Sequence, residues 1–301
     1  MIRIGGYQGG RSVLTRGLDH IVEALSGTMA AQAIEHVPDV TATGLTARSL
    51  FDGVESGQWQ MAYMASGYLS ERVPALGFLD LPLLVSDRAD ALARLDGRAG
   101  RLIGDGVAAA TDLRVLGFWD NGFRHITNGI RPIKSPADCS GLSIRTLDSP
   151  IYRATLSAMG FKPMFADVRD FAARIASGEI DAQENPLTNV VQFGIHQHHR
   201  HVSLTGHVFG VALLVCHAPW FAGLPEAASD ALLAACAQAT LLQRELAARE
   251  DEIALRTLES VGAAVIWPNA LDIAGFRLAI QEVAESVLKA SPRAVIDAWG
   301  A

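Results

Sequence analysis

The amino-acid sequence predicts an α/β fold with largely parallel sheets, divided between two units that one long helix bridges. Three observations predict it. Short β-rich runs alternate with segments of helical apolar spacing along the chain. The chain has 301 residues, 50% of them hydrophobic, enough for one large domain or two of roughly 100–150 residues. Between Pro225 and Gly262 there is neither proline nor glycine, and Ala, Leu, Glu and Arg dominate. A helix of about 37 residues runs roughly 55 Å at 1.5 Å per residue, longer than a small domain is wide, so it spans two.

The elements follow in order. Residues 2–6 read as a strand ending in glycines. Residues 11–26 place Leu14, Leu18, Ile21 and Leu25 on one face at helical spacing. Thr46 can cap a second helix carrying Leu50, Phe51 and Val54, which stops at Gly57. Residues 60–65 are strand-like, and Ser86 can cap a helix through Leu92, Leu95 and Leu102. Residues 113–118 and 142–146 are β-rich, and residues 159–164 lead into a helix near 167–177. Strands at 201–205 and 208–216 precede the long helix. A strand at 263–267 and an amphipathic helix at 271–289 follow it. No internal repeat or low-complexity linker appears, which suits two units that exchange segments.

Composition removes several functions. The formal net charge is −7 with no basic block, which argues against nucleic acid and against a polybasic membrane surface. The longest apolar run, around residues 208–216, is far short of the about 20 residues that cross a bilayer. Cys139, Cys216 and Cys236 are too few and too far apart for a disulfide framework. No charged and apolar leader precedes residue 2, so the sequence is expected either to be cytosolic or to begin after a removed signal.

Enzyme signatures are missing: there is no GxSxG, HExxH, P-loop lysine or EF-hand pattern. Gly5-Gly6-Tyr7-Gln8-Gly9-Gly10 lies between a strand and a helix, where a dinucleotide fingerprint would sit, but Tyr7 occupies the place of the middle glycine. Such a turn can offer a helix N-terminus to an anion, or simply be a tight turn. His196, His198, His199 and His201 cluster without a neighbouring Cys, Asp or Glu. A solvated surface turn is expected there, with no metal site and no cofactor.

The informative stretch runs from Phe118 to Asn189. Arg145 ends a short strand, and in α/β sheets ligands sit beyond the carboxyl ends of strands. Arg124 lies near the end of another strand. Two arginines in one cleft would form a fork for a carboxylate. With a net charge of −7, an anion must be held by such local cations. The competing reading gives each arginine a structural ion pair, for example with Asp120, Asp138 or Asp148.

Motifs in this stretch resemble the solute-binding proteins of tripartite ATP-independent periplasmic (TRAP) transporters, the DctP family. They are Gly122-Phe123-Arg124-His125-Ile126-Thr127-Asn128, Arg131-Pro132-Ile133, Pro136-Ala137-Asp138, Gly141-Leu142-Ser143-Ile144-Arg145-Thr146 and Gly178-Glu179-Ile180-Asp181-Ala182-Gln183-Glu184-Asn185-Pro186. Asp80-Leu81-Pro82-Leu83-Leu84, Thr205-Gly206-His207 and Trp220-Phe221-Ala222-Gly223-Leu224-Pro225 extend the likeness over nearly the whole chain.

The resemblance implies a two-lobe periplasmic-binding-protein fold of type II-like architecture, with the long helix spanning both lobes. Lobe I is expected at residues 1–121 plus about 211–250, and lobe II at about 122–210 plus 251–301. It implies a periplasmic, monomeric carrier of a small organic acid, with no catalytic residue, no metal and no cofactor. The carrier would hand its acid to the small and large membrane subunits of a permease. The alternatives are the same fold presenting a carboxylate to a sensor, or an enzyme acting on the acid. By resemblance Arg145 makes the main salt bridge to the carboxylate, Arg124 assists, and Asn185 reaches the same group. Where many members carry an aromatic residue, two positions before Asp170, this chain has Val168, and Phe165 is the expected substitute. Tyr7, Gln8, Ser12, Ser66 and Tyr68 are candidate polar contacts, and Trp119 a candidate wall residue.

Overall fold

The computed structural model describes residues 1–28 and 33–300. The predicted alternation produces nine strands among them: β1 (Ile2–Gly5), β2 (Ile34–Val37), β3 (Met61–Ala65), β4 (Leu113–Asn128), β5 (Ser143–Thr146), β6 (Lys162–Phe165), β7 (Ala182–Pro186), β8 (His201–His217) and β9 (Ala264–Ile266). They join in the order β2-β1-β3-β8-β4-β7-β5-β6, with β9 beside β8. At one end β1 pairs in parallel with β2 and β3; at the other, β5 pairs in parallel with β6 and β7. Between these ends the pairing is antiparallel, through β3–β8, β8–β4 and β4–β7.

The antiparallel middle is the main departure from the sequence expectation. β4 runs 16 residues and β8 runs 17, where shorter strands ending at 118 and breaking at 205–208 were expected. Register shifts between Asp120 and Phe123 and between Arg124 and Ile126 absorb the Asp120–Asn121–Gly122 stretch as bulges within the strand. Gly122 takes φ +81°, which a side chain would resist. The two strands therefore pass without interruption from one half of the molecule to the other.

Three apolar clusters fill that molecule. The first includes Ile4, Leu18, Tyr63, Trp119 and Leu213. The second includes Ile126, Ile144, Leu156 and Phe276, and the third Phe171, Val190, Val202, Leu204 and Leu258. Ile126 is in register with Ser203, so Val202 and Leu204 point to the opposite face. The second and third clusters thus cover the two faces of one half-sheet, and the first cluster fills the other lobe. The last helix, Arg293–Trp299, was expected in lobe II. Its Val295, Ile296 and Trp299 instead join the first cluster, and the Trp299 ring meets Phe78 edge-on at 5.6 Å.

The long helix spans Glu226–Ser260, 35 residues, beginning after Pro225 as the composition predicts. Leu232, Cys236 and Leu246 pack in the first cluster, while Ala254 and Leu258 pack in the third, so the helix bridges both lobes. Its middle is tied to β4. Trp119 donates its indole N–H to Thr240 Oγ1 at 2.9 Å, and Gln243 exchanges two hydrogen bonds with the backbone of Asp120, at 2.9 and 2.7 Å. The shorter predicted helices differ in their ends. The one expected from Ser86 is two, Arg88–Asp96 capped by Asp87 and Arg98–Ala110. The one expected over 271–289 is also two, Ile273–Ala279 and Gln281–Ala290.

Replacing Thr240 with the isosteric valine leaves the buried Trp119 N–H without an acceptor. The Thr240→Val variant is expected to lose about 1–3 kcal/mol of unfolding free energy in urea with an unchanged m-value. An unaltered midpoint would mean that packing alone holds the helix against β4.

Candidate functional site

A narrow cleft lies where the two lobes meet. The first lobe contributes Tyr7, Gln8, Ala65 and Tyr68 to its lining. The crossing strand β4 contributes Asn121 and Arg124. The second lobe contributes Arg145, Asn185 and Asn189 as polar groups, and Leu147, Val168, Phe171 and Phe193 as apolar wall.

Arg145 sits on β5 between β6 and β7, and its side chain is only 4% exposed. Its Nε donates to the Ala166 carbonyl at 2.8 Å, and the guanidinium lies 4.3 Å over the Phe171 ring. Its two terminal nitrogens donate no hydrogen bond to the protein, and no carboxylate among the described residues stands within 4 Å of it. Burial pulls its pKa below the ordinary arginine value, yet a guanidinium keeps its proton at any physiological pH. Arg145 is therefore a buried cation without a counter-charge.

Arg124 is buried too, but compensated. Its Nε and Nη2 both donate to the Glu184 carboxylate, the latter at 2.8 Å, and Nη2 also reaches the Glu184 carbonyl at 2.7 Å. Thr146 donates to Glu184 Oε1 at 3.0 Å, and His207 Nε2 lies 3.6 Å from Oε2. Burial pushes the Glu184 carboxyl up, but Arg124 and His207 outweigh it and hold it at about 2. Burial alone would lower the Arg124 guanidinium, and Glu184 beside it reverses the direction. Of the Arg124 nitrogens, Nη1 has no hydrogen-bond partner among the described residues.

Asn185 neighbours Glu184 on β7. Its Nδ2 donates to Gln183 Oε1 at 2.6 Å, and its Oδ1 accepts from Arg124 Nη2 at 3.2 Å. An amide nitrogen carries two hydrogens, so one remains for a ligand. Tyr68 is kept neutral, because burial pushes its phenol up to about 12. In the glycine turn, the Tyr7 and Gln8 backbone N–H groups both donate to Tyr63 Oη, at 3.1 and 3.0 Å. The side chains of Tyr7 and Gln8 face the cleft, while these two amides are occupied and offer no anion site.

The structure thus brings Arg145, Arg124, Asn185, Tyr7, Gln8 and Tyr68 to one cleft, and leaves four candidates outside it. Ser12 is buried beside the glycine turn and donates to Gln8 Oε1 at 2.9 Å. Trp119 is fully buried in the first cluster against Thr240. Ser66 donates to Asp80 Oδ1 at 2.7 Å behind the cleft. Phe165 is 47% exposed on a neighbouring depression. Phe171, with Phe193 edge-on at 5.2 Å, supplies the aromatic wall instead. Sequence reasoning missed Asn121, Asn189, Phe171 and Phe193. Asn189 was open to detection, since it lies one helical turn beyond Asn185 in the helix Leu187–Gln192 that follows β7. The histidine cluster is not wholly a solvated turn. His199 is 2% exposed with its Nδ1 3.0 Å from Thr127 Oγ1, and burial pulls it down to about 4.

The lobes also touch each other directly. Gln192 donates to the Gln8 carbonyl, Ser70 and Ser149 hydroxyls stand 3.3 Å apart, and Arg48 lies 3.6 Å from Asp148. Behind the cleft, Asp80 accepts from Ser66 but its other oxygen has no partner. Burial pushes this carboxyl up to about 7, only partly offset by the Ser66 hydrogen bond. A raised folded pKa means that the native state holds a proton the unfolded chain has lost. The penalty for burying Asp80 therefore grows as pH rises from about 4 to about 7. Asp80→Asn is expected to melt higher than the parent at pH 8, with the gain shrinking as the pH falls and vanishing only near pH 4. An equal gain at both pH values, read by calorimetry, would refute this account.

The chain is similar in sequence and in fold to known proteins. The sequence profile of the bacterial extracellular solute-binding proteins, family 7 (DctP), matches residues 39–290. A solute-binding protein of Verminephrobacter eiseniae is 32% identical over 241 residues, 78% of this chain and 70% of that protein. The 2,3-diketo-L-gulonate-binding periplasmic protein of Escherichia coli is 31% identical over 223 residues, 73% of this chain and 67% of that one. The fold matches a TRAP periplasmic solute-binding protein of Roseobacter denitrificans, solved with bound β-D-glucuronate. The TM-score is 0.92 at 22% identity, over 100% of this chain and 99% of that one.

Proposed function

Because the chain belongs to family 7 of the bacterial extracellular solute-binding proteins, the DctP family of TRAP transporters, we propose that it captures a small organic acid on Arg145 and delivers it to the membrane subunits of such a transporter. The observation that carries this reading is the Arg145 guanidinium, buried yet unpaired, with its terminal nitrogens turned to a cleft. A carboxylate accepts two parallel N–H···O bonds from such a fork. Arg124 Nη1 and the second Asn185 amide hydrogen are the remaining donors for the same oxygens. The E. coli relative is named for binding 2,3-diketo-L-gulonate, itself a carboxylate. The lining holds no Ser, Cys, His, Lys, Asp or Glu side chain, so it offers no nucleophile and no general base.

Ligand and closure support each other. An ion pair in water contributes little, whereas the same pair sealed from water is far stronger. Closing the lobes over the acid therefore has a source of differential affinity. β4, β8 and the long helix, which cross between the lobes, are the elements that bend.

A thermal-shift screen against an organic-acid library identifies the ligand. One present at a hundred times its Kd adds about 2.7 kcal/mol of stability. With that acid, Arg145→Met is expected to bind at least 100-fold more weakly, since charge-assisted hydrogen bonds contribute about 1.5–3 kcal/mol each. The ligand-free variant should melt no lower than the parent, because a buried unpaired charge has been removed. Calorimetry showing affinity within threefold of the parent would overturn the assignment of Arg145. Small-angle scattering is expected to show a smaller radius of gyration on ligand addition, and no change at saturation would contradict closure about a hinge.

A further inference from the structure

We infer that the cleft is matched to a single negative charge, and that it selects a hydroxylated monocarboxylate against the corresponding dicarboxylate. The inference rests on the carboxylate-binding reading above and specifies its ligand class. It follows from a count of charges. Among the lining residues only Arg124 and Arg145 are charged. Glu184 engages Arg124 through both Nε and Nη2, which cancels that cation before any ligand arrives. The sum left for the ligand is one positive charge, on Arg145. The nearest further carboxylate, Asp167, is held by the Arg169 backbone N–H at 3.0 Å and lies beyond 4 Å from Arg145. Counting it only lowers the sum.

The rest of the polar lining is neutral and two-sided. Gln8, Asn121, Asn185 and Asn189 present amides, and Tyr68 a phenol. Amides and phenols both donate and accept, as a hydroxyl requires of its partners, whereas a carboxylate only accepts. A second carboxylate in this enclosed space would face amide and phenol groups with no free cation. A buried charge in that position is costly. A hydroxyl in the same place is satisfied.

The test uses matched pairs of open-chain acids that differ only at the far end, where –CH2OH is replaced by –COO⁻. They are threonate against tartrate for four carbons, and gluconate against glucarate for six, each pair of one stereochemical series. Calorimetry on the full chain is expected to give the monoacid at least 100-fold tighter in any pair that binds. A diacid that binds as tightly as its monoacid overturns the inference while leaving the carboxylate reading intact. A library screen in which acids of neither charge stabilise the protein overturns both. Glu184→Gln provides a second measurement, because it releases the Arg124 charge while keeping an acceptor for Thr146. In the folded variant, the preference for the monoacid should narrow at least tenfold, and an unchanged ratio would count against Glu184 as its origin.

Discussion

A guanidinium held in the interior without a counter-charge is the constraint around which this molecule is arranged. Leaving a charge buried and unpaired is expensive, by several kcal/mol even after relaxation. The fold bears that cost at Arg145 by fixing the side chain rather than by neutralising it. β5 lies between β6 and β7, the Ala166 carbonyl takes the Nε hydrogen, and the Phe171 face supports the plane of the group. What remains is a rigid pair of donors pointing into a cleft. The neighbouring arginine shows the contrasting solution. Arg124 is equally buried, but the Glu184 carboxylate and carbonyl and the Asn185 amide oxygen accept its hydrogens. One arginine is neutralised by the protein, and the other is left without a counter-charge beside the cleft.

Three segments, β4, β8 and the long helix, cross between the lobes, and polar ties join β4 to the helix at the crossing. Asp120, at the bulge in β4, is engaged from two sides. Gln243 of the long helix binds its backbone, and Arg88 lies 3.3 Å from its carboxylate while also pairing with Asp251 of that helix. Burial raises the Asp120 carboxyl to about 6, partly offset by Arg88. Hydrogen bonds and ion pairs of this kind fix direction while permitting the small rotations that packed apolar surfaces resist. The register shift that spans Gly122 lies directly next to Arg124 in β4.

Much of this was legible in the sequence, for identifiable reasons. The long helix declared itself because an uninterrupted stretch without proline or glycine has few other fates. That Arg145, Arg124 and Asn185 meet in one cleft was readable from the motifs around them, which are local, although Arg124 lies inside β4 rather than near a strand end. The extension of β4 through Asp120-Asn121-Gly122 was not, since those residues have turn chemistry and only the pairing with β8 decides otherwise. The aromatic wall also escaped. Phe165 lies nearest the expected position in the sequence, but β6 turns it outward, and the helix after Asp170 brings Phe171 beneath Arg145. The difference between the two arginines could not be seen either. It depends on Glu184, sixty residues from Arg124, and on the absence of any such partner for Arg145. Placing the last helix with lobe II failed for the same reason, because Trp299 finds Phe78 by tertiary packing alone.

The most direct test of the central claim is a crystal structure of the protein saturated with the acid that stabilises it most. The account predicts a closed cleft, with both carboxylate oxygens within hydrogen-bond distance of the two terminal nitrogens of Arg145, and Arg124 still paired to Glu184. A carboxylate bound elsewhere, with the Arg145 nitrogens turned to water or to a protein carboxylate, would contradict it.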